Sequence, residues 1–276
     1  VIARQQRGQD PVIIGDAEWL NGKISKFFLG DIRTRLKFTP GVLSTNEVKI
    51  TNSAGQLAIE DAVVNFGEKV EVSGRVSAQA LELRQLLINL GVGDTPLHLD
   101  AKGRIPCAGT ISPMVDIACS GEMTVKNLEV HSMPERRTIV AFDEMHAVSD
   151  INIDEERITF TRGELKVGSS EGTADGYVDF EDGFHFNFKT PGLDFDDVKS
   201  LANLKYEGSI ALDGMTEGDG GAAILDTKIK SDSFYFEDYF LGKTEVNARY
   251  EKGFLKLSNF AGAVDELKYT GNILLH

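Results

Sequence analysis

The sequence has little of several features that define common classes of protein. It holds two cysteines, one tryptophan and seven prolines in 276 residues. Lys and Arg number 29 against 43 Asp and Glu, a net charge of −14. We therefore expect no phosphate-neutralising surface and no nucleic-acid partner. The longest uncharged apolar stretch, 86–93, is far shorter than the roughly 18 residues of a membrane-spanning helix, so none is predicted.

The start of the chain also lacks features of a complete secreted precursor. It begins at Val1 rather than Met and shows no signal-peptide pattern. We expect a piece or a mature form of something longer. Hydrophobic residues make up 41% of the sequence, enough for a substantial core. The 28 glycines and 16 phenylalanines, with little proline, indicate strands joined by tight turns.

Alternation of apolar and polar residues is the dominant pattern. It predicts antiparallel strands with one apolar and one wet face. In 69–77, for example, Val70, Val72 and Val76 alternate with charged and polar residues. The residues predicted to line the apolar face are Val70, Val72, Val76, Leu97, Leu99, Ile105, Ile117, Met123, Val125, Val178, Phe180, Phe184, Phe186, Phe188, Ile210, Leu212, Leu267, Ile273 and Leu275.

Six glycines recur in the middle of these strands, on the apolar side. They are Gly74, Gly103, Gly121, Gly176, Gly208 and Gly271. Since glycine weakens a strand, its recurrence indicates a bend or the close approach of another group. Bends at equivalent points would curl the sheet into a trough, and about ten strands would make it roughly 50 Å long. We therefore predict a mainly all-β fold, a long curled antiparallel sheet with a hydrophobic groove. A β-sandwich with bulges is the alternative.

Two segments depart from alternation and favour short amphipathic helices. In 81–90 the apolar stripe precedes Gly91, a plausible stop, and in 194–204 Asp194 is a candidate N-cap. Such helices are more often plugs over the end of a core than binding elements. A third short helix is predicted over 17–29, followed by a strand over 31–38. Residues 1–45 are thus expected to form a less regular segment, and 46–276 one repetitive β-groove domain.

Several segments match catalytic or metal-binding motifs, but the residues around them do not fit the structure that each motif requires. Residues 168–172 match G-x-S-x-G, but a strand rather than a helix follows, so we predict a hairpin turn. The glycines of 218–221 likewise predict a turn, and 150–154 a strand instead of a calcium loop. The histidines show no ligand spacing. No enzymatic activity, metal or cofactor is expected.

The two cysteines, Cys107 and Cys119, are equidistant from Pro113 and both fall on the apolar face. A hairpin near Ser112 would place them opposite each other, where a disulfide is geometrically feasible. Two buried free cysteines are the ordinary alternative. A bridge would imply an oxidising compartment.

Several phrases resemble the repeat unit of the TamB and AsmA-like proteins of Gram-negative bacteria. The fullest is CAGTISPMVDIACSGEMTVKNLEV (107–130), and shorter ones recur in EGTADGYVDF, LKYEGSIALDG and GFLKLSNFAGAVDELKYTGNILL. The resemblance covers roughly residues 40–276. It implies a curled sheet with an apolar interior, belonging to a protein anchored in the inner membrane by a segment outside this chain.

That resemblance also implies a function. The chain would be a non-enzymatic lipid-transport module of the periplasm, shielding phospholipid acyl chains between the inner and outer membranes in support of outer-membrane biogenesis. Some members of the family act with an outer-membrane barrel partner. Two alternatives remain open: a scaffolding β-sandwich that binds a partner through an edge strand, and a hydrolase or carbohydrate-binding module assembled from loops.

Overall fold

The protein is an all-β chain built on one antiparallel sheet, and 82% of the residues that the structure describes are in strands. The computed structural model describes residues 2–4, 11–24, 27–89, 91, 95, 97–131, 136–201, 205–219 and 223–275. For 2–4, 24, 27, 201 and 275 it describes the backbone alone. The all-β, antiparallel prediction is confirmed.

The described residues form eighteen strands. The first nine are β1 Ile2–Arg4, β2 Val12–Ile24, β3 Phe27–Thr39, β4 Val42–Asn52, β5 Gly55–Phe66, β6 Val70–Glu82, β7 Leu97–Ser112, β8 Asp116–His131 and β9 Thr138–Asp154. The others are β10 Arg157–Val167, β11 Ser170–Asp179, β12 Gly183–Asp194, β13 Ser200–Leu201, β14 Tyr206–Gly218, β15 Ile224–Phe236, β16 Tyr239–Glu251, β17 Phe254–Val264 and β18 Leu267–Leu275.

The strands form a meander in which each long strand pairs antiparallel with the next one along the chain. The short β1 pairs with β2, and the short β13 departs from the order by pairing back to β9, so that β12 is followed in the sheet by β14. Without β1 and β13 the sheet has sixteen strands, and it is not closed. The sheet is therefore wider than the ten or so strands that the alternation predicted.

Consecutive hairpins turn at opposite margins of the sheet, which we name rim A and rim B. Rim A carries the turns that follow β3, β5, β7, β9, β11, β14 and β16. Rim B carries the connections that follow β2, β4, β6, β8, β10, β12, β15 and β17. The two connections that contain helical turns, after β6 and after β12, both lie at rim B.

Only the first predicted helix forms, and it is shorter than predicted. Helix α1 covers Leu83–Asn89, because 81–82 still belong to β6; Leu90 lies outside the described residues. The carboxylate of Glu82 accepts hydrogen bonds from the backbone N–H groups of Arg84 and Gln85, at 2.9 Å each. Gly91, with φ +74°, follows the helix as predicted. The helix contacts β3, β6 and β7.

The prediction of a second helix over 194–204 is wrong. Asp194 does cap a helical turn, accepting from the backbone of Asp196, but that turn is a 3-10 helix of three residues, Phe195–Asp197. The chain then forms β13, and the N–H of Lys199 donates to the carbonyl of Ala141 on β9. Pairing with β9 thus overrides the helical spacing; residues 202–204 lie outside the described part of the chain.

The predicted helix over 17–29 is also wrong, since β2 and β3 occupy its described residues. A bulge at Asn21, with φ +51°, inserts an extra residue into β2 and shifts its apolar spacing towards that of a helix. The strand predicted over 31–38 is confirmed within β3. Strand β4 spans the expected segment boundary at residue 45; its register with β3 shifts there, between Ser44 and Val48, while Thr45 stays paired with Ala62 of β5.

Candidate functional site

The apolar face of the sheet is the candidate site, and the register shows how it is assembled. Residues directly opposite each other in antiparallel strands point to the same face. One unbroken row of such partners crosses the sheet from β2 to β14. The row contains Ile13, Phe38, Leu43, Val64, Val72, Gly109, Ile117, Ile153, Ile158, Val178, Phe184 and Gly218.

The residues predicted to line the face differ in their exposure. Leu99, Ile105, Val125 and Ile210 are buried. Half-buried are Val70, Val72, Val76, Leu97, Ile117, Met123, Val178, Phe180, Phe184, Phe186, Phe188 and Leu212. Leu267 and Ile273 are exposed, and the side chain of Leu275 lies outside the described set. Phe180 occupies the turn after β11 instead of a strand.

The described strands form a single sheet, so no second sheet packs on this face within the described ranges. Among the described residues, no large side chain is less than 2% exposed. The chain has 16796 Å² of accessible surface, whereas a compact protein of its mass exposes about 11,700 Å². A single sheet explains the excess, because each strand contacts its neighbours along the edges and leaves the apolar side chains half-covered.

The mid-strand glycines make room for side chains of neighbouring strands. A Cβ on Gly176 would lie 2.6 Å from Cδ1 of Phe186 and 2.1 Å from the carbonyl oxygen of His185. Gly103 leaves space for Met123 in the same way, whereas nothing lies near Gly271. Gly74, Gly121 and Gly103 fall in three different cross-strand rows. The expected alignment of these glycines at equivalent points is therefore not observed.

Over Gly176 the apolar face becomes aromatic. The rings of Phe160 and Phe186 lie 5.7 Å apart across the glycine, and those of Phe184 and Phe186 lie 6.4 Å apart. The strands from β2 to β9 contribute mainly Ile, Val and Leu to the same face. The candidate site thus has an aliphatic part and a phenylalanine-rich part around β10–β12.

A second aromatic cluster packs where rim B meets β14 and β15. Phe195 stacks on Tyr206 at 5.2 Å and contacts Phe234 at 5.9 Å, and Tyr206 also contacts Phe236. Burial, with a smaller contribution from the charge of Glu237, raises the pKa of the Tyr206 phenol. The alternation did not reveal this cluster, because Phe195 belongs to a connection and not to a strand.

The G-x-S-x-G look-alike forms the tight turn between β10 and β11, as predicted. Its serines face the carboxylate of Asp197, which accepts from Oγ of Ser170 at 2.6 Å and from Oγ of Ser169 at 3.0 Å. Both serine N–H groups donate to the same carboxylate. The Ser170 hydroxyl is the main cause of a lowered pKa at Asp197, with smaller effects from Ser169. These contacts fasten the connection after β12 to the hairpin.

Cys107 and Cys119 are directly opposite each other on β7 and β8 and form a disulfide, with their Cα atoms 4.1 Å apart. The structure therefore decides between the two alternatives that the sequence left open. Cys119 is buried on the apolar face. The bridge holds the middle of the β7–β8 hairpin.

The polar face is covered by ion pairs between neighbouring strands. Lys126 approaches Glu144 at 3.0 Å and lowers the pKa of that carboxyl. Lys228 has the same effect on Glu245. Two shallow depressions on this face, between β2 and β4 and across β5–β9, are lined largely by charged and polar side chains of both signs. This is the pattern of a solvated surface.

The described histidines each lie beside a glutamate. His98 approaches Glu82 at 3.3 Å, and His185 approaches Glu217 at the same distance. His131 and His146 lie near Glu129 and Glu144, while His276 is outside the described chain. No group of three or more potential metal ligands occurs among the residues that the structure describes.

Comparison with protein-family models, with curated proteins and with solved structures finds no match. Within the described ranges, no helix has the length and apolar character needed to cross a membrane.

Proposed function

We propose that this chain is a non-enzymatic lipid-transport module that shields phospholipid acyl chains along the apolar face of its sheet. The observation that carries the proposal is the uncovered state of that face. Its rows are continuous from β2 to β14, yet most of their side chains are only half-buried. A protein that buried this face against itself would gain stability, so its exposure favours an apolar ligand.

An apolar face lowers the free-energy cost of moving a lipid through water. An acyl chain of about 16 carbons exposed to water costs roughly 13 kcal/mol, at about 0.8 kcal/mol per methylene. A continuous apolar surface removes most of that cost. The twelve strands that the unbroken row crosses, at about 4.8 Å spacing, extend it for about 53 Å.

The hydrophobic groove is part of the proposal. Open sheets of more than about ten strands usually curl or split. Bulges occur along most of these strands, and bulges bend a strand and increase its twist. Both features favour a sheet that curls its apolar face inward, with lipid head groups at the wet opening.

The cellular setting follows the family resemblance. We place the chain in the periplasm, in a protein anchored in the inner membrane, supporting outer-membrane biogenesis, with an outer-membrane barrel as a candidate partner. The Cys107–Cys119 bridge fits an oxidising compartment.

A scaffolding protein that binds a partner through an edge strand is the second candidate. Strand β18 pairs only with β17 among the described registers, and Leu267 and Leu274 on it are 76% and 65% exposed. An apolar, unpaired edge favours strand addition. The sandwich architecture of that alternative has no support, since the described strands form one sheet.

The test of lipid binding is the Ile117→Asp variant. Chain purified from the periplasm of an expressing cell is extracted with organic solvent, and its phospholipid is quantified by mass spectrometry. We expect about one or more lipids per wild-type chain and at least a tenfold loss in the variant, because a charge in the row would be poorly solvated against an acyl chain. Wild-type protein free of lipid would overturn the proposal and favour the scaffold.

The matched control is the neighbouring Asp116→Asn variant on the polar face. Asp116 is exposed and accepts a hydrogen bond from Asn152 at 2.9 Å, which an amide can keep. Its lipid content should equal that of the wild type. Ile117 is only half-buried, so the Ile117→Asp chain should still melt cooperatively; loss of folding would indicate a packed core instead of a groove.

A further inference from the structure

The two rims of the sheet differ in how much chain borders them. At rim B, α1 reaches from β7 back to β3. Further along the same rim, the segment 194–201, which we call the strap, links β12 to β9. Every described connection of rim A is a short turn. Within the described residues, the long connections border rim B.

The strap is fastened at several points. Asp197 holds the β10–β11 turn through four hydrogen bonds, and Lys199 pairs with Asp143 of β9 at 2.7 Å. Phe195 is buried against Tyr206 and Phe234. These contacts bind the strap to β9, to the β10–β11 hairpin and to β14–β15, so this part of rim B is closed by ordered chain.

Rim A has the opposite character between β3 and β8. There exposed apolar side chains lie at the hairpin ends: Phe38 is 40%, Phe66 50%, Ile111 45% and Met114 68% exposed. Phe38 belongs to the long apolar row, and Phe66 lies opposite Val70. We name these four side chains the apolar lip.

Charge separates the lip from the two described turns that follow it along rim A, those after β9 and β11. The turn after β3 (Pro40–Gly41) and the turn after β7 (113–115) carry no charge, and the turn after β5 holds one acid and one base, Glu68 and Lys69. The turn after β9 is acidic, with Glu155 and Glu156, as is the turn after β11 at 181–182. Acidic turns repel anionic head groups and avoid a lipid surface, whereas the lip is neutral and apolar.

We infer that the apolar lip is where the face meets a lipid bilayer and where acyl chains enter it, across rim A between β3 and β8 and not across rim B. The occupant is the acyl chain of a bilayer phospholipid. This inference rests on the proposed function and adds the place at which the lipid enters. An incoming chain slides from the lip along rows that are already apolar, so it meets no charged side chain on its way.

The test measures extraction of lipid from vesicles by the delipidated full chain. Phosphatidylcholine vesicles carry a trace of fluorescent phosphatidylcholine and a non-extractable quencher, so that extraction raises the fluorescence. Phe66→Glu and Met114→Glu alter the lip. Ile88→Glu on α1 and Leu20→Glu in the rim B half of β2 are matched controls, since these apolar side chains are 37% and 55% exposed and neither is among the residues predicted to line the face. We expect at least a tenfold slower initial rate for the lip variants and less than a twofold change for the controls.

A second measurement distinguishes slower entry of lipid from a loss of lipid-binding capacity. Each variant is loaded with the same lipid from detergent, and the amount bound is quantified. Lip variants that hold as much lipid as the wild type but load it slowly support the inference. Normal loading rates in the lip variants, or equal slowing in the rim B controls, overturn it while leaving the proposed function intact. A wild-type chain that neither extracts nor holds lipid overturns both.

Discussion

Gly176 shows what a single missing side chain contributes to the apolar face. Phe160 on β10 and Phe186 on β12 meet above it, on strands that are not neighbours in the sheet. The contact depends on the empty position between them. The sequence indicated a reason for glycine here, but the partners could be named only once the register of β10, β11 and β12 was known.

Replacing Gly176 with alanine should destabilise the protein by about 1–3 kcal/mol, the usual cost of overpacking, because the new Cβ would collide with the backbone of His185 and the ring of Phe186. The matched change at Gly271, where no atom lies within 4 Å, should be nearly neutral. Urea unfolding of the two variants measures the difference. Equal stabilities would contradict the packing described here.

Asp197 predicts a pH dependence for the strap. Its pKa is lower in the folded protein than in the unfolded chain, first because of the Ser170 hydroxyl. The stabilisation is therefore complete above the usual aspartate pKa and is lost as the pH falls through the folded value. The melting temperatures of the wild type and Asp197→Asn should differ most near pH 7 and converge below about pH 4. A difference that stays constant over this range would contradict the assignment.

At the scale of single elements, bulges explain most of what the sequence did not predict. Residues with positive φ sit at register shifts inside six strands: Asn21, Asp61, Ala80, Asn127, Arg162 and Asn259. Each is an extra residue in its strand. The side chains on the apolar face therefore switch from odd-numbered to even-numbered positions, or the reverse, on passing the bulge. Val125 and Val130 consequently share a face although they are five residues apart, being opposite Ala101 and Leu97 of β7. Alternation predicts strands well between bulges, but it does not show which residues face the apolar side beyond a bulge.

The β7–β8 hairpin gives a prediction for its disulfide. The bridge closes a loop with a sequence separation of 12. Loops of roughly this size gain about 3 kcal/mol from a cross-link. Reduction, or the double change Cys107→Ser with Cys119→Ser, should lower the free energy of unfolding by about that amount in urea titrations. The unreduced, unfolded chain should also show no titratable thiol; two free thiols would refute the bridge.

At the scale of the whole molecule, the open sheet predicts an extended particle. A compact chain of 276 residues has a radius of gyration of about 19 Å. Fifteen strand spacings of about 4.8 Å give a long dimension of about 72 Å, and a radius of gyration of about 22–25 Å follows. Small-angle X-ray scattering of the monomer checks this value. A radius near 19 Å would mean that the sheet closes on itself, which would remove the exposed apolar face.

The meander also makes the molecule modular along one direction. Because nearly all pairing joins consecutive strands, inserting or removing one hairpin disturbs only the two strands at the junction. Each hairpin changes the length by about 9.6 Å, two strand spacings. The length of such a protein can therefore change in regular steps during evolution, by gain or loss of whole hairpins. The number of hairpins then sets the distance that the sheet spans between two surfaces, and no new hydrophobic core is needed.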